Sequence, residues 1–264
     1  MVMVCLAMRD CLSLLVLAAA SCSAPRIQKS PPATSAPAPV ARVAPLALPA
    51  PALAPSAAVP PHPIHDLRTV AASELCTSSG HLEARQSLVH VDSGCMRTVI
   101  AGDSSPIAEL EFTYRGSSPK TVPFASGEVR SQIGLKLRAK DTCNLVYVMW
   151  YAAPGKGVHV SVKNNPGQST HAECADRGYH AVAPEWSAPV PIIQVNDKRV
   201  LRAAIEGQVI TVHVDGVLAW KGTLPAEAFT FDGPVGIRSD NGVFDFDLRV
   251  ARPHREGARC PKGG

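Results

Sequence analysis

The chain has 264 residues, a formal net charge of +4, 46% hydrophobic residues and only 5% aromatic ones. So mild a basic excess argues against a nucleic-acid reader, and the length allows one folded domain beside extended segments. Neither a GxxxxGKS/T phosphate loop nor a GxSxG nucleophile elbow occurs.

The N-terminus reads as an export signal over residues 1–21. A short apolar run, Leu12 to Ala20, ends in small residues and then Cys22. It is too short to span a bilayer as a mature helix. The segment "LAAASC" resembles a bacterial lipobox, whose cysteine becomes lipid-modified; Ala19 stands where leucine is commoner. Either Met1 or Met8 can be the start, and Met8 gives the more compact signal. Cleavage with Cys22 left as a thiol is the rival reading. Acyl chains contribute roughly 0.8 kcal/mol per buried CH2, so several chains make a firm anchor. Ser23 in place of an aspartate leans, by resemblance to diderm lipoproteins, towards the outer membrane.

Residues 22–63 are read as a tether. Twelve of the 24 prolines fall between Ser23 and Pro63, alanine fills much of the rest, and acidic residues are absent. Proline removes donors and fixes φ, so this segment is expected to be extended, spanning roughly 100 Å at about 3.1 Å per residue. His62, His65 and Asp66 beside it are weak evidence for a metal, and none is assigned. Residues 64–85 are read as an extension leading into a domain at 86–252, followed by a basic tail at 253–264.

Within the domain, alternation at period two predicts half-buried strands. "SQIGLKLRA" puts Ile133, Leu135 and Leu137 on one face and Gln132, Lys136 and Arg138 mostly on the other. "VHVSVK" puts Val158, Val160 and Val162 inward. "NLVYVMWY" is apolar almost throughout, as a central strand covered on both faces would be. Asp215-Gly216 lies between two apolar runs and signals a hairpin, and Asn241-Gly242 reads likewise as a turn. The expected fold is all-β, a two-sheet antiparallel jelly-roll β-sandwich.

The segments "RVLRAAIEGQVITVHVDGVLAWKG" and "FDGPVGIRSDNGVFDFDLRV" resemble the closing strands of the concanavalin A-like lectin/glucanase superfamily, including its laminin-G-like and 3-keto-disaccharide-hydrolase-like branches. The clearest match covers residues 199–250. The resemblance implies one concave sheet whose outer face forms a sugar groove. It also sets an expectation for catalysis: glucanases of this group carry an "ExDxxE"-type strand. Here "AELEFTY" offers only Glu109 and Glu111, and "FDFD" only Asp245 and Asp247. Retaining hydrolysis needs two carboxyls about 5 Å apart, so the reading leans away from an enzyme and no catalytic residue is assigned.

The candidate ligand contacts are Arg130, Gln132, Trp150, Lys163, Asn165, His171, Glu173, Arg177, Asp245 and Asp247. Asparagine, histidine, lysine and arginine can bond sugar hydroxyls, and Trp150 or Trp186 could stack on a sugar ring. The loop "KNNPGQSTHAEC" is equally readable as a long connection pinned by a disulfide. Cys5 and Cys11 fall in or before the signal. Among the remaining five cysteines the favoured pairings are Cys76–Cys95 and Cys143–Cys174, with Cys260 left over; disulfides persist in exported domains, and spacing alone does not fix the pattern. Zinc at Cys143, His171, Cys174 and His180 fits no common spacing. Calcium is the one cofactor left open. The expected partners are an extracellular glycan or polymer and, through the lipid, a membrane. The rival functions are a sugar hydrolase of the same fold and a structural envelope lipoprotein.

Overall fold

The computed structural model describes residues 67–102, 104–153, 157–251 and 260. The signal, Cys22, the proline-rich segment, His62, His65 and Asp66 lie outside the described residues, as does most of the tail.

Two antiparallel sheets pack face to face. With strands numbered along the chain, the first sheet runs β11 (Trp186–Ser187), β14 (Val217–Thr223), β13 (Val209–Val214), β12 (Lys198–Glu206), β6 (Ile107–Ser117), β16 (Gly242–Val250), β4 (Leu88–Val91) and β3 (Glu83–Arg85). A two-residue strand, β1 (Arg68–Thr69), also pairs with β16. The second sheet runs β10 (Tyr179–Ala181), β9 (Gly157–Lys163), β8 (Leu145–Ala153), β7 (Ser131–Leu137), β15 (Gly236–Asp240), β5 (Cys95–Ile100) and β2 (Leu75–Ser79). This is the β-sandwich expected from the alternation.

The core lies between the sheets. Ile133, Leu135 and Leu137 of β7, Val146, Val148 and Trp150 of β8, and Phe112 and Phe244 from the first sheet are all buried there. Phe112 meets Trp150 edge-on at 5.7 Å and Phe244 at 5.9 Å, the geometry in which aromatic pairs add to simple burial.

Three expectations are corrected. The sandwich starts at Arg68 rather than 86: β1 pairs with β16, and β2 pairs with β5 from Leu75 opposite Ile100 to Ser79 opposite Arg97. These strands are short and carry little apolar alternation, which hid them. Asn241 is not a hairpin turn. It joins β15 of one sheet to β16 of the other, at φ 54°, a conformation asparagine tolerates. Its buried side chain accepts from Val122 N at 2.6 Å and donates to the carbonyls of Val122 and Arg130. Asp215-Gly216 does form the expected hairpin between β13 and β14, both residues having positive φ.

The third correction concerns sulfur. Cys76 bonds Cys260, not Cys95. The β2–β5 register sets Cys76 opposite Val99, a full four residues along the strand from Cys95, so the two sulfurs cannot meet. Cys95 is disulfide-bonded as well. The expected Cys143–Cys174 bond is present. It ties the start of β8 to a single-turn helix, α1 (His171–Cys174). Closing a loop of this size stabilises by about 2–4 kcal/mol. A Cys143→Ser, Cys174→Ser double variant is therefore expected to show a lower urea midpoint. An unchanged midpoint would mean that hydrogen bonds alone hold the loop.

Candidate functional site

The outer face of the second sheet is unlike a solvated strand surface. Alternation turns Leu145, Tyr147, Met149 and Tyr151 of β8 outward, away from the main core, and a second apolar cluster forms there from Cys76, Val99, Ala139, Leu145, Tyr147 and Met149. On this apolar floor stands a connected polar layer. Strand register places Asp240 beside Gln132, which pairs with Tyr151; Arg97 lies directly opposite Arg238; Lys136 lies beside Tyr147; and Lys163 is opposite Tyr179.

Asp240 is the hub and is fully buried. Its Oδ1 accepts from Arg97 at 2.7 Å; its Oδ2 accepts from Arg238 Nε at 2.8 Å and from Gln132 Nε2 at 2.6 Å. Gln132 in turn accepts from Arg130 Nε at 3.1 Å. The Arg130 guanidinium lies 4.0 Å over the Tyr151 ring, whose centroid is 4.2 Å from the stacked ring of His159. Arg238 reaches the Tyr179 hydroxyl at 3.4 Å and covers Tyr147, which stacks with Tyr179. Lys163 donates to the carbonyls of Thr142 and Ala175 and sits over Tyr179 at 5.0 Å.

Burial and crowding set the electrostatics. Burial pushes the Lys136 ammonium down to about 7, with Arg97 and Arg238 adding repulsion. Burial pushes Lys163 down to about 8, with Arg238 contributing. Burial alone would raise the Asp240 carboxyl, but Arg238 and Arg97 outweigh it and hold it below the ordinary value. Burial opposes the charge on Arg238 too, and there Asp240 wins. Burial raises the Tyr179 hydroxyl above its ordinary range.

Beside Tyr151 a cavity of about 330 Å³ opens, with Val158, Pro189, Val190 and Trp220 in its lining. It gives the polar face an apolar neighbour at the end of β8. Among the described residues no cluster of three or more metal-ligating side chains occurs.

The residues expected from sequence divide sharply. Arg130, Gln132 and Lys163 belong to this layer. Trp150 does not: it is fully buried between the sheets, because its parity on β8 matches Val146 and Val148. Asp245 and Asp247 lie on the outer face of the opposite sheet, since β16 pairs with β6 and β4. There Asp245 accepts from His90 and Arg115, each at 2.7 Å, and Asp247 from Arg249 at 2.9 Å. Arg249 also reaches Glu109 and Glu111, forming a ladder of ion pairs.

The polar loop holds itself together. Asn165 donates to the carbonyls of Cys143 and Arg177. Glu173 accepts from the backbones of Ser169 and Thr170 and caps α1. Arg177 donates to the carbonyls of Glu173 and Cys174. His171 opens α1 and is half-buried. The residues that sequence reasoning missed are Arg97, Lys136, Tyr147, Tyr151, Tyr179, Arg238 and Asp240. The available signal was the run of outward positions on "CMRTVI", "SQIGLKL" and "GIRSD", where charge falls on central strands.

No family model and no curated protein matches the chain. Among solved structures it is similar to the carbohydrate-binding module CBM66 from Bacillus subtilis, at 17% identity and a TM-score of 0.48 over 66% of this chain and 91% of that one. It is similar to the galectin LEC-6 of Caenorhabditis elegans, at 13% identity and a TM-score of 0.36 over 69% and 99%. A third likeness is to a putative glycosyl hydrolase from Parabacteroides distasonis, at 8% identity and a TM-score of 0.42 over 69% and 89%. At these scores none of them carries an argument about activity.

Proposed function

We propose that the protein binds an extracellular carbohydrate or related polymer on the outer face of its second sheet. The observation that carries this reading is the connected layer of arginine, lysine, glutamine, aspartate and tyrosine on that face. At the accessible edge of this layer the half-buried Tyr151, the exposed His159 and the half-buried Arg130 supply aromatic surface and a donor for a sugar. Binding sites of this kind are mostly apolar with a few placed polar groups, and the floor of Leu145, Met149 and Val99 under the charged layer fits that description. The proposal extends to placement: lipid at Cys22 anchors the chain in the cell envelope, at the outer membrane, and the proline-rich stalk holds the sandwich away from it.

A glycan array with the purified protein, with and without calcium, tests the reading. Saturable binding to one polymer class is expected, without turnover of the bound glycan. Tyr151→Ala is expected to weaken it about tenfold, equivalent to roughly 1.4 kcal/mol. Asp245→Asn, on the opposite sheet, is expected to leave it unchanged. Binding that follows Asp245 rather than Tyr151 would move the site to the other face. A folded protein that binds no glycan would favour a structural envelope role.

A further inference from the structure

The loop between β11 and β12 is an apolar segment left largely in solvent. Residues 187–195 read "SAPVPIIQV". Ile193 is buried in the core, but Ile192 is 70% exposed and Val195 57%. Exposed apolar side chains that gather in one place mark interaction sites, and here they gather around the cavity beside Tyr151. Its lining runs from Ala219 and Trp220, both buried, to Pro189, Pro191 and Ile192, all exposed. The cavity is therefore open to solvent on the loop side.

Two glycines keep the space. Gly157 stands opposite Tyr151 in the β8–β9 register. A Cβ there would touch Val190 Cγ2 at 3.6 Å, so a longer side chain would fill the gap between strand and loop. Gly222 receives the Trp220 ring: a Cβ there would meet the ring's Cη2 at 2.6 Å, so the indole lies along its own strand. The chemistry of the lining is one-sided. Among the described residues no charged side chain lines the cavity, and the polar ones are Ser187, Tyr151 and the indole of Trp220. Its volume of about 330 Å³ lies at the lower end of the range for ligand pockets, roughly 300–1,000 Å³.

This lining selects among occupants. A sugar ring inside it would bury hydroxyls with too few partners, which costs free energy. A peptide adding to the sheet edge would need backbone donors; Pro189 and Pro191 have none, and the Ala188 amide already donates to the Ala219 carbonyl at 3.0 Å. A saturated chain needs no hydrogen bonds. Polar partners stand at the Tyr151 end, where the Arg130 guanidinium lies 4.0 Å over the ring and the exposed His159 stacks with it. We propose that the sugar held at this edge carries a saturated acyl or alkyl chain, and that the chain lies in the cavity between Tyr151 and Ile192. This rests on the carbohydrate reading above and narrows it to an amphiphilic ligand. The head lies against Arg130 and His159, the tail against Val190 and Trp220, and Tyr151 serves both.

The test is calorimetric titration of the purified protein with butyl and octyl glycosides of glucose, galactose and N-acetylglucosamine, each below its micelle-forming concentration. A fully buried methylene contributes about fourfold in affinity, so the octyl form of the preferred sugar is expected to bind at least about tenfold more tightly than the butyl form. Ile192→Ser is expected to cut that ratio at least about threefold, and Ser187→Trp, which sets a large ring at the mouth, to abolish it. Both positions are exposed, so both variants should fold. Val217→Ser, at a site 69% exposed and outside the lining, should leave the ratio unchanged. A ratio that follows Val217 as closely as Ile192 would overturn the assignment, as would octanol binding as tightly as the best octyl glycoside. Displacement of the octyl glycoside by a peptide copying residues 36–61 would give the cavity to the proline-rich segment instead, and a dimer that dissociates on titration would give it to a second copy. Equal binding of butyl and octyl forms by a protein that still binds a polymer on the array overturns the chain assignment alone. If the array is blank and octanol matches every octyl glycoside, both readings fall.

Discussion

Replacing Lys136 with methionine is expected to make the protein more stable. The ammonium is buried beside two arginines, and its affinity for a proton falls from the ordinary 10.5 to about 7. The sign follows from proton counting. Between those two values the unfolded chain holds a proton that the folded chain has released, so unfolding free energy rises with pH across that window. Below about pH 7 the full penalty of a buried charge remains. Each unit of displacement corresponds to about 1.4 kcal/mol, which puts the penalty at about 3–5 kcal/mol in acid. Lys136→Met removes the charge and keeps a chain of similar length over the apolar floor. For a domain of this size the melting temperature is expected to rise at pH 6 by on the order of 10 °C. The gain should shrink as pH climbs towards 10. Melting curves at pH 6, 8 and 10 for the two proteins give the comparison, and a variant no more stable than the parent at pH 6 would show that Lys136 is not a strained charge.

Much of the fold was legible in the sequence because strand alternation reports burial directly. Ile133, Leu135 and Leu137 turn inward and Lys136 outward, as "SQIGLKLRA" indicates, and "NLVYVMWY" is indeed covered on both sides. Alternation does not say which sheet a strand joins. The pair Arg238 and Asp240 in "GIRSD" has the same spacing as Asp245 and Asp247 in "FDFD", yet Asn241 sends the two strands to opposite sheets. One pair becomes the hub of a buried layer and the other a rung in a surface ladder. Trp150 illustrates the same limit within one strand. On an all-apolar strand no polar neighbour marks the parity, so Trp150 and Tyr151 are indistinguishable until the register is known. The loop from Lys163 to Arg177 misled for another reason. Its polar side chains suit a sugar, but they suit unpaired backbone amides and carbonyls equally well, and a loop without strand partners must satisfy those first.

Asp240→Asn is expected to act in the opposite direction to the lysine change. Asp240 is the one carboxylate that Arg97, Arg238 and Gln132 share. An asparagine keeps the shape but offers one oxygen and no charge, so the opposed guanidiniums face each other uncompensated. Removing one partner of a buried ion pair costs about 3–5 kcal/mol. Because the arginines hold the Asp240 carboxyl below its ordinary value of 3.8, its stabilising contribution is complete above that value and is lost as pH falls through the lowered one. The parent and the variant should therefore differ most near neutrality and converge in strong acid. Urea denaturation of both proteins near neutrality and in acid measures this directly. A variant as stable as the parent would mean that Asp240 does not hold the layer together.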